Sequence, residues 1–264
     1  MPACQPGPAQ ACLYFRVRAE AGEGFGRADL HLHTYASDGL MSASALVDYA
    51  ERRTDLDLIA ITDHDETSAA LEGRDYAARQ GYRVQVIPGV EVTTRAGHLL
   101  ALFVEERPPA LLSLQATAEW ILERGGLCVA AHPFTRWTHS LTNRSMAFAA
   151  YHKLLSALEV LNASPAGRAS HTRAVRFADQ HGLPAIGASD AHMLGLVGLA
   201  HTRFRGHSPD DLRRAIESRA TYAEGRFASP REIAAEALPQ LARSLVHLPL
   251  RRIARYARDR RSSI

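Results

Sequence analysis

The sequence predicts an α/β protein, a closed or nearly closed (β/α) barrel built from most of its 264 residues. Short apolar runs of strand length alternate with amphipathic segments of helical length, the order that produces a parallel sheet flanked by helices. Each apolar run ends in polar residues, and a barrel gathers the ends of its strands at one mouth. The hydrophobic fraction of 46% is ample for a core of that size. We therefore expect a single barrel with its site at that mouth.

The first predicted strand, residues 28–34, has a period-two pattern. Asp29, His31 and His33 alternate with two leucines, so we expect the three polar side chains on one face of the strand. Two imidazoles that leave the same face of one strand have the geometry of a chelating pair. This strand therefore predicts a metal site.

The later predicted strands are apolar runs typical of buried parallel strands, and polar residues follow them directly. These strands comprise residues 57–62, 84–90, 126–131, 157–161 and 184–188, and the polar residues that follow them are Asp63, His64, Glu91, His132, Asn162, Ser189, Asp190 and His192. Residues 92–95 and 97–104 are expected to form a hairpin after the strand that ends at Glu91. His98 lies on this hairpin, where we expect a core histidine rather than a site residue.

The segments between the strands predict six helices. They comprise residues 42–53, 66–80, 111–124, 146–155, 166–181 and 209–218. Capping residues support several of these starts: Ser42 begins the first helix, Thr67 or Ser68 the second, and Ser208 followed by Pro209 the last.

Composition and charge restrict the function classes. No apolar run is long enough to span a bilayer, no secretory signal is evident, and three cysteines cannot form a disulfide framework, so we expect a cytoplasmic protein. The net charge of +3 is concentrated near the C-terminus, where residues 240–264 contain seven arginines and one aspartate. This tail is either a solvated terminal helix or a basic amphipathic helix that contacts an anionic surface or a partner.

The predicted site residues favour hydrolytic metal chemistry. Mixed imidazoles and carboxylates suit Mn²⁺, Fe²⁺ or Zn²⁺ better than Mg²⁺ alone. A carboxylate that bridges two such ions holds them close enough to share a hydroxide, which would be the nucleophile. The sequence shows no phosphate-binding glycine loop, no Ser-His-Asp order and no dinucleotide fingerprint.

The sequence resembles the PHP family, the polymerase-and-histidinol-phosphatase group of metal-dependent phosphoesterases. The shared blocks are Asp-x-His-x-His, Ser-Asp-Gly, Ile-Thr-Asp-His, Gly-Val-Glu, Ala-His-Pro and Ser-Asp-Ala-His, and they occur in the expected order across residues 27–226. The resemblance implies a distorted (β/α)7 barrel of the TIM-like type. It divides the chain into an N-terminal extension (1–26), the PHP barrel (27–228) and a basic helical tail (229–264).

The resemblance also implies two to three divalent metal ions at the C-terminal mouth of the strands. Their ligands would be His31, His33, Glu91 and Asp190 for the first ion, Glu91 and His132 for the second, and Asp38, His64 and His192 for the third. Glu91 would bridge two ions, and we expect Glu91, Asp190 and His192 to serve in catalysis. Some family members supply a further histidine to the second ion where this chain has Asn162, whose amide oxygen is a weaker ligand for zinc.

The expected function is hydrolysis of a phosphate ester by a metal-bridging hydroxide. A small phosphorylated metabolite or a nucleotide is the preferred substrate, because the barrel segment shows no basic stripe interleaved with aromatic residues; a nucleic-acid end stays open. The segment between Glu91 and His132 is too short for a sizeable inserted cap domain. Two alternatives are a metal-dependent hydrolase of a C–N or C–O bond and a non-catalytic module that binds metal or a partner.

Several further residues have predicted roles around the metals. Arg136, Arg144 and Arg168 follow strand ends and are candidates for binding substrate phosphate. Asp63 alternates away from His64, so we expect it to support the site or cap a helix rather than bind metal. His201 follows the last block, and a structural role is favoured over proton transfer.

Overall fold

The computed structural model describes residues 24–235. Within that part, one sheet of nine strands is flanked by six α-helices, and residues 230–235 are also helical. The strands are β1 (Phe25–Leu32), β2 (Leu58–Ile61), β3 (Gln85–Thr93), β4 (His98–Leu102), β5 (Leu127–Ala130), β6 (Ala157–Asn162), β7 (Ala185–Ala188), β8 (Ala200–Arg205) and β9 (Tyr222–Gly225). The helices are α1 (Ala43–Arg53), α2 (Ser68–Gln80), α3 (Leu114–Glu123), α4 (Asn143–Tyr151), α5 (Pro165–His181) and α6 (Pro209–Glu217).

The sheet is nearly closed into a barrel. Its strand order is β7-β6-β5-β4-β3-β2-β1-β8-β9. The β1–β3 and β5–β7 strands are parallel, whereas β4, β8 and β9 pair antiparallel with their neighbours. The Thr202 hydroxyl on β8 crosses to β7, where it accepts from Gly187 N–H at 3.1 Å. At the C-terminal end, His33 N–H donates to the Ala191 carbonyl at 3.0 Å, which joins the ends of β1 and β7.

The structure confirms the α/β barrel class and adds two strands that the sequence did not predict. The expected count was seven; the described sheet has nine because β8 pairs antiparallel with β1 and β9 pairs antiparallel with β8. In β8, Ala200, Thr202 and Phe204 are buried, but polar side chains alternate with them. The β9 strand has few apolar residues, so its pairing with β8 rather than its composition makes it a strand.

Two helices begin at positions other than those expected. The α3 helix begins at Leu114 because Leu111 has a left-handed backbone, with φ of 59°, and Ser113 caps the first turn by accepting from Ala116 N–H. The α4 helix begins at Asn143, three residues before the predicted start, because Thr142 accepts from Ser145 N–H as its N-cap.

Apolar side chains from the strands fill the barrel below the site. One buried cluster includes residues from eight strands and from α6, and we identify it as the barrel interior. Its members include Ala28, Leu30, Leu58, Ala60, Ile87, Leu100, Leu102, Val129, Ala157, Ile186, Phe204, Leu212 and Ile216. Two other clusters join the outer faces of the strands to the helices. The interior cluster is a packed base on which the polar mouth rests.

A β-bulge in β1 changes the expected alternation of side chains. The register of β1 against β2 shifts by one residue between Asp29 and Leu32. Asp29 pairs with Ile59, on the helix-facing side, whereas His31 and His33 point into the barrel. The expected single face of Asp29, His31 and His33 is therefore wrong at Asp29, because the extra residue reverses the alternation.

A second bulge lies in β6, between Glu159 and Leu161. Glu159 pairs with Ile186, a member of the interior cluster, and Asn162 pairs with Ala188 two residues further along β7. Three positions apart on a regular strand, Glu159 and Asn162 would face opposite sides. The bulge directs both into the barrel mouth.

Candidate metal centre

Glu91 lies at the centre of the polar mouth and is buried. Its Oε2 atom is 3.3 Å from Nε2 of His31, 3.3 Å from Nε2 of His33 and 3.1 Å from Nδ1 of His64. These histidines come from β1 and from the loop after β2, while Glu91 itself comes from β3. One carboxylate oxygen of β3 is thus shared among three imidazoles from the two strands next to it in the sheet order, β1 and β2.

The second oxygen of Glu91 faces a different pair of histidines. Oε1 is 3.0 Å from Nε2 of His132 and 2.8 Å from Nδ1 of His98. His98 is buried, and its place contradicts the expectation that it is only a core residue. The antiparallel hairpin of β3 and β4 folds His98 back toward Glu91. His98, Leu100 and Leu102 are two residues apart along β4 and share one face of the strand, and this spacing could have indicated that the His98 side chain points inward.

Asp190 and Asp38 complete the ring. Asp190 Oδ1 lies 3.4 Å from Nε2 of His31 and 3.3 Å from Nε2 of His33. Asp38 Oδ1 lies 3.3 Å from Nε2 of His192. Four groups among the described residues can hold a metal ion, and together they contain the same eight residues that the sequence predicted as ligands: His31, His33, Asp38, His64, Glu91, His132, Asp190 and His192.

The donor set fits divalent cations. Nε2 of His31 and Oε2 of Glu91 are buried and make no hydrogen bond among the described residues, although they face each other across a few ångströms. Burial opposes ionisation of Glu91, but the surrounding imidazoles hold the pKa of its carboxyl well below the usual range. Burial lowers the pKa of His64 to about 3, which keeps that imidazole in the neutral form that binds metal.

Glu159 orients two of these histidines from below, and the sequence did not identify it. It is buried, its Oε1 lies 3.1 Å from Nδ1 of His31, and its Oε2 accepts from the backbone N–H of His132. A carboxylate at Nδ1 favours the tautomer that leaves Nε2 of His31 available for a metal. The carboxylate was missed because a lone glutamate inside an apolar run does not show which side chain it will contact.

Asn162 supports the carboxylates instead of presenting its oxygen to the site. Its Nδ2 donates to Glu159 Oε2 at 3.1 Å and to Asp190 Oδ2 at 3.2 Å. Its Oδ1 accepts from Ser164 N–H at 3.0 Å, at the start of α5. The amide oxygen, which was expected to be a weak metal ligand, therefore accepts a hydrogen bond from the backbone instead.

Two buried aspartates hold the loops that carry ligands. Asp63 accepts from Thr34 N–H at 2.8 Å and from the Ser37 hydroxyl, next to Asp38, which is the supporting arrangement expected for it. Asp29 accepts from Ser189 N–H at 2.9 Å and from Gly198 N–H at 2.8 Å. Burial raises the pKa of Asp29 to about 6.

The three candidate arginines lie outside the centre. Arg136 and Arg144 are exposed, in the loop before α4 and on its first turn. The Arg168 guanidinium lies over the ring of Phe227 at 5.0 Å. His201 lies on the outward face of β8 with Nδ1 at 3.4 Å from the Gly198 carbonyl, in agreement with a structural role.

A cleft of about 270 Å³ opens beside the centre. Asp190 and His192 form its polar wall, while Leu196 and Ala228 contribute apolar surface. Trp137 and Thr138 also line the cleft, and Thr138 Oγ1 is 3.2 Å from Nδ1 of His132. The cleft therefore gives a ligand access to the ring of imidazoles and carboxylates.

Family comparison identifies this arrangement. The family sequence model described as PHP domain matches residues 29–160, and the family sequence model described as PHP-associated matches residues 168–221. The chain belongs to the PHP family. PHP phosphoesterases are metal-dependent, so the family and the buried donor groups both point to metal binding at this mouth.

Individual relatives differ in how much they share with this PHP chain. It is 31% identical over 145 residues to the uncharacterized protein MJ1587 of Methanocaldococcus jannaschii, which covers 48% of this chain and 84% of the relative. It is 39% identical over 87 residues to the 5′-3′ exoribonuclease Rnm of Salmonella typhimurium, covering 31% and 29%. It is 37% identical over 101 residues to the 3′,5′-nucleoside bisphosphate phosphatase of Chromobacterium violaceum, covering 36% and 34%.

A solved structure supports the fold. A two-domain protein of Bacteroides vulgatus, containing a predicted PHP-like metal-dependent phosphoesterase, superposes with a TM-score of 0.65 at 21% identity, covering 83% of this PHP chain and 70% of that protein. Together the family and its named phosphatase and exoribonuclease members support a metal-dependent phosphoesterase in general terms. Among the described residues, no helix combines the length and apolarity needed to cross a bilayer. The predicted basic tail lies almost wholly in residues 236–264, outside the described residues.

Proposed function

We propose that this PHP protein hydrolyses a small phosphorylated metabolite or a nucleotide, and that two to three Mn²⁺, Fe²⁺ or Zn²⁺ ions serve the reaction. The observation that carries the proposal is the position of Glu91, whose two oxygens face two separate sets of histidines. A carboxylate in that position suits a bridge between two cations. The named phosphatase and exoribonuclease relatives support phosphate esters as the substrate class.

Each proposed metal position draws on a different part of the mouth. The first would use His31, His33, Glu91 and Asp190, and the third would use Asp38, His64 and His192, as the family resemblance implied; all seven belong to groups that could hold a metal ion. For the second, we add His98 to Glu91 and His132, because His98 Nδ1 and His132 Nε2 approach the same oxygen of Glu91. His98 then takes the place in the ligand set that Asn162 does not fill.

The side chains around the cleft would bind and orient the substrate. Divalent metals, when bound, supply an activated water and neutralise charge on phosphoryl oxygens. Asp190 and His192 line the cleft, so the phosphate would enter along this wall. His192 Nδ1 lies 3.0 Å from the backbone carbonyl of Asp190, which would fix the ring with Nε2 directed toward Asp38 and the third ion. Arg136, in the exposed loop beside the cleft, stays a candidate for contacting substrate phosphate.

Phosphate release from a substrate panel tests the proposal. Mn²⁺-loaded protein would be assayed with sugar phosphates, mononucleotides, nucleoside bisphosphates and short oligonucleotides, with Glu91→Ala as the inactive variant and Glu224→Ala, on β9 away from the mouth, as the matched control. We expect wild type and Glu224→Ala, but not Glu91→Ala, to hydrolyse one substrate class, with release of phosphate from monoesters or of nucleotides from oligonucleotides.

Two results would overturn the proposal. Hydrolysis of amides or C–O esters with no release from phosphate esters would assign the centre to C–N or C–O chemistry. Inactivity toward every substrate, from protein that holds its metals by elemental analysis, would indicate a module that binds metal or a partner without catalysis.

A further inference from the structure

The cleft beside the candidate metal centre has no arginine or lysine among the described residues that line it. The lining contains one carboxylate and one imidazole, those of Asp190 and His192, and both residues are proposed metal ligands. Arg136 precedes Trp137 in the chain but is not part of the lining. A second phosphate or a carboxylate on a substrate would therefore meet no cationic side chain of the lining.

Two serine hydroxyls that line the cleft already make hydrogen bonds within the protein. Ser164 Oγ accepts from Gly167 N–H at 3.3 Å as the N-cap of α5. The Ser189 hydroxyl donates to the buried carboxylate of Asp29. A ligand rich in hydroxyls would lose water on entering the cleft without gaining a matching set of partners, which costs free energy. The lining therefore suits a group with few polar atoms.

Most of the other residues that line the cleft are apolar. Leu196, which is buried, comes from the loop after β7, and Ala228 and Ile233 come from the segment after β9. These three residues pack in one apolar cluster, and we call them the apolar wall. Trp137 also lines the cleft, and its side chain is 70% exposed. An apolar group that enters the cleft would remove these surfaces from water, which favours its binding.

Backbone hydrogen bonds fix the chain after β9 against the barrel. Arg226 N–H donates to the Leu199 carbonyl at 2.7 Å, and Ala228 N–H donates to the Ala163 carbonyl at 2.8 Å. Ala163 itself lines the cleft. Ala228 is therefore held beside the cleft by a bond to another residue of the lining.

A capping box orients Ile233. Glu232 Oε2 accepts from Ser229 N–H at 2.7 Å, and Ser229 Oγ accepts from Glu232 N–H at 3.4 Å. Nη1 and Nη2 of Arg226 both donate to the Glu232 carboxylate, at 2.9 and 2.7 Å. Ile233 N–H donates to the Ser229 carbonyl at 3.0 Å, which begins the helical turn. The structure thus fixes Ile233 at the cleft through residues that lie beyond both segments matched by the PHP family models.

We propose that the cleft binds the leaving group of the substrate and selects a small, uncharged alcohol with an apolar part, such as a phenol or a branched aliphatic alcohol. This inference rests on the proposed phosphoesterase function and narrows its substrate class to phosphate monoesters that carry no second anionic group. Water would attack phosphorus, the ester P–O bond would break, and the alcohol would leave with a proton from that water. The apolar wall would cover the apolar part of the alcohol.

The size of the cleft agrees with a small leaving group. Its volume of about 270 Å³ lies below the range of about 300–1,000 Å³ that is typical of sites for drug-sized ligands. An empty apolar cavity of about 150 Å³ in another protein binds benzene, so a single ring fits in this volume.

Binding would be measured apart from hydrolysis with phosphonates, in which carbon replaces the ester oxygen. Mn²⁺-loaded full-length protein would be titrated with phenylphosphonate, methylphosphonate and 4-carboxyphenylphosphonate by isothermal titration calorimetry. The ratio of the Kd of methylphosphonate to that of phenylphosphonate reports on the cleft, because both ligands present the same phosphonate group to the metals. Ile233→Ala and Ile233→Asp would test the apolar wall. The matched control is Leu122→Asp, which changes an exposed aliphatic side chain on α3.

We expect phenylphosphonate to bind wild type about 10- to 100-fold more tightly than methylphosphonate, the scale of covering one ring with apolar surface. Ile233→Ala should lower this ratio about threefold and Ile233→Asp about tenfold, whereas Leu122→Asp should leave it unchanged. 4-Carboxyphenylphosphonate should bind more weakly than phenylphosphonate, because its carboxylate would lose water without gaining a cationic partner. Among phosphate esters, kcat/KM should be higher for phenyl phosphate than for glycerol phosphate.

Several results would overturn the inference. These are no binding of phenylphosphonate, equal Kd values for phenylphosphonate and methylphosphonate, a wild-type ratio in both Ile233 variants, or binding of 4-carboxyphenylphosphonate as tight as that of phenylphosphonate. The expected ratios without hydrolysis of any phosphate ester would support the selectivity of the cleft and count against the proposed function. Hydrolysis of phosphate esters by protein that does not discriminate between the phosphonates would count against the inference alone.

Discussion

Glu159 has no predicted role in metal binding, yet its buried carboxylate contacts two of the proposed metal ligands, His31 and His132. It binds Nδ1 of His31, the backbone N–H of His132 and the amide of Asn162, all in a buried setting. The sequence could show the types of ligand residues because histidines and carboxylates recur at strand ends. It could not show Glu159, because the role of that residue depends on the neighbours that the fold provides.

We expect Glu159→Gln to lower metal affinity about 10- to 100-fold, because the amide cannot satisfy both the His31 ring and the His132 N–H as an acceptor. Competition with a fluorescent chelator would give the affinity, and elemental analysis would give the metal content. Glu224→Gln is the control, since Glu224 pairs with Arg203 on the outside of the barrel. An unchanged affinity in Glu159→Gln would show that Glu159 does not position the ligands.

Cys128 is the second residue for which burial predicts behaviour. Its side chain is fully buried on β5, and burial raises the pKa of its thiol to about 12. Since the thiolate is the reactive form, we expect no alkylation of Cys128 by iodoacetamide at pH 8 until the protein is unfolded. Mass spectrometry of the peptide that contains Cys128, before and after denaturation, would measure this. Labelling of the native protein at the rate of a free thiol would contradict the expectation.

At the scale of elements, the strands and helices that follow clear periodic patterns were predictable, and those set by pairing were not. Apolar runs that end in polar residues predicted the parallel strands and the mouth to which they point. The β8 strand depends on antiparallel pairing with β1, the β9 strand depends on antiparallel pairing with β8, and the shifts in β1 and β6 depend on register. Neither the pairing of β8 and β9 nor the register shifts can be read from the pattern of residue types. In the case of the shifts, an extra residue in a strand leaves the apolar run intact.

The start of α6 provides a test at this scale. Ser208 and Asp211 form a capping box in which each side chain accepts from the backbone N–H of the other. These hydrogen bonds, first from the Ser208 hydroxyl and then from the backbone, lower the pKa of Asp211 to about 2. The lowered pKa means that this interaction stabilises the fold above the ordinary value of about 3.8 and that the contribution disappears as pH falls through about 2.

We therefore expect Asp211→Asn to lower the free energy of unfolding at pH 7 and the difference from wild type to shrink as pH falls below about 4. Urea denaturation of both proteins across this pH range would measure it. Asp210→Asn, one residue earlier in the same first turn, is the control. A difference that stays constant down to pH 2 would mean that ionisation of Asp211 does not stabilise the cap.

At the scale of the whole molecule, the proposed ligands tie distant parts of the chain together. The eight residues of the metal-binding groups run from His31 to His192 and come from loops or strands around most of the barrel. Assembling them without a cation places several carboxylates close together, and Asp190 and Asp38 have pKa values below their ordinary range because of nearby histidines despite burial. A bound cation would compensate this charge and bridge the strands.

Metal binding should therefore stabilise the folded protein. We expect the Tm of chelator-treated protein to rise with added Mn²⁺, with a stabilisation of about 2.7 kcal/mol when free metal exceeds the Kd about 100-fold. Differential scanning fluorimetry would measure the shift, and Glu91→Ala should show a smaller one. A Tm that does not respond to Mn²⁺, Fe²⁺ or Zn²⁺ would contradict metal binding at this mouth.

The extra residue in β1 has a consequence for protein design. A designer who copied His31 and His33 onto an ideal strand of another barrel would reproduce their spacing to each other but not their offset from Leu30, which also faces inward here. On a regular strand, Asp29 rather than Leu30 would share the inward face with the two histidines. A polar side chain would then stand where this barrel keeps the apolar Leu30. A successful graft must therefore copy the irregularity of the strand together with the ligands.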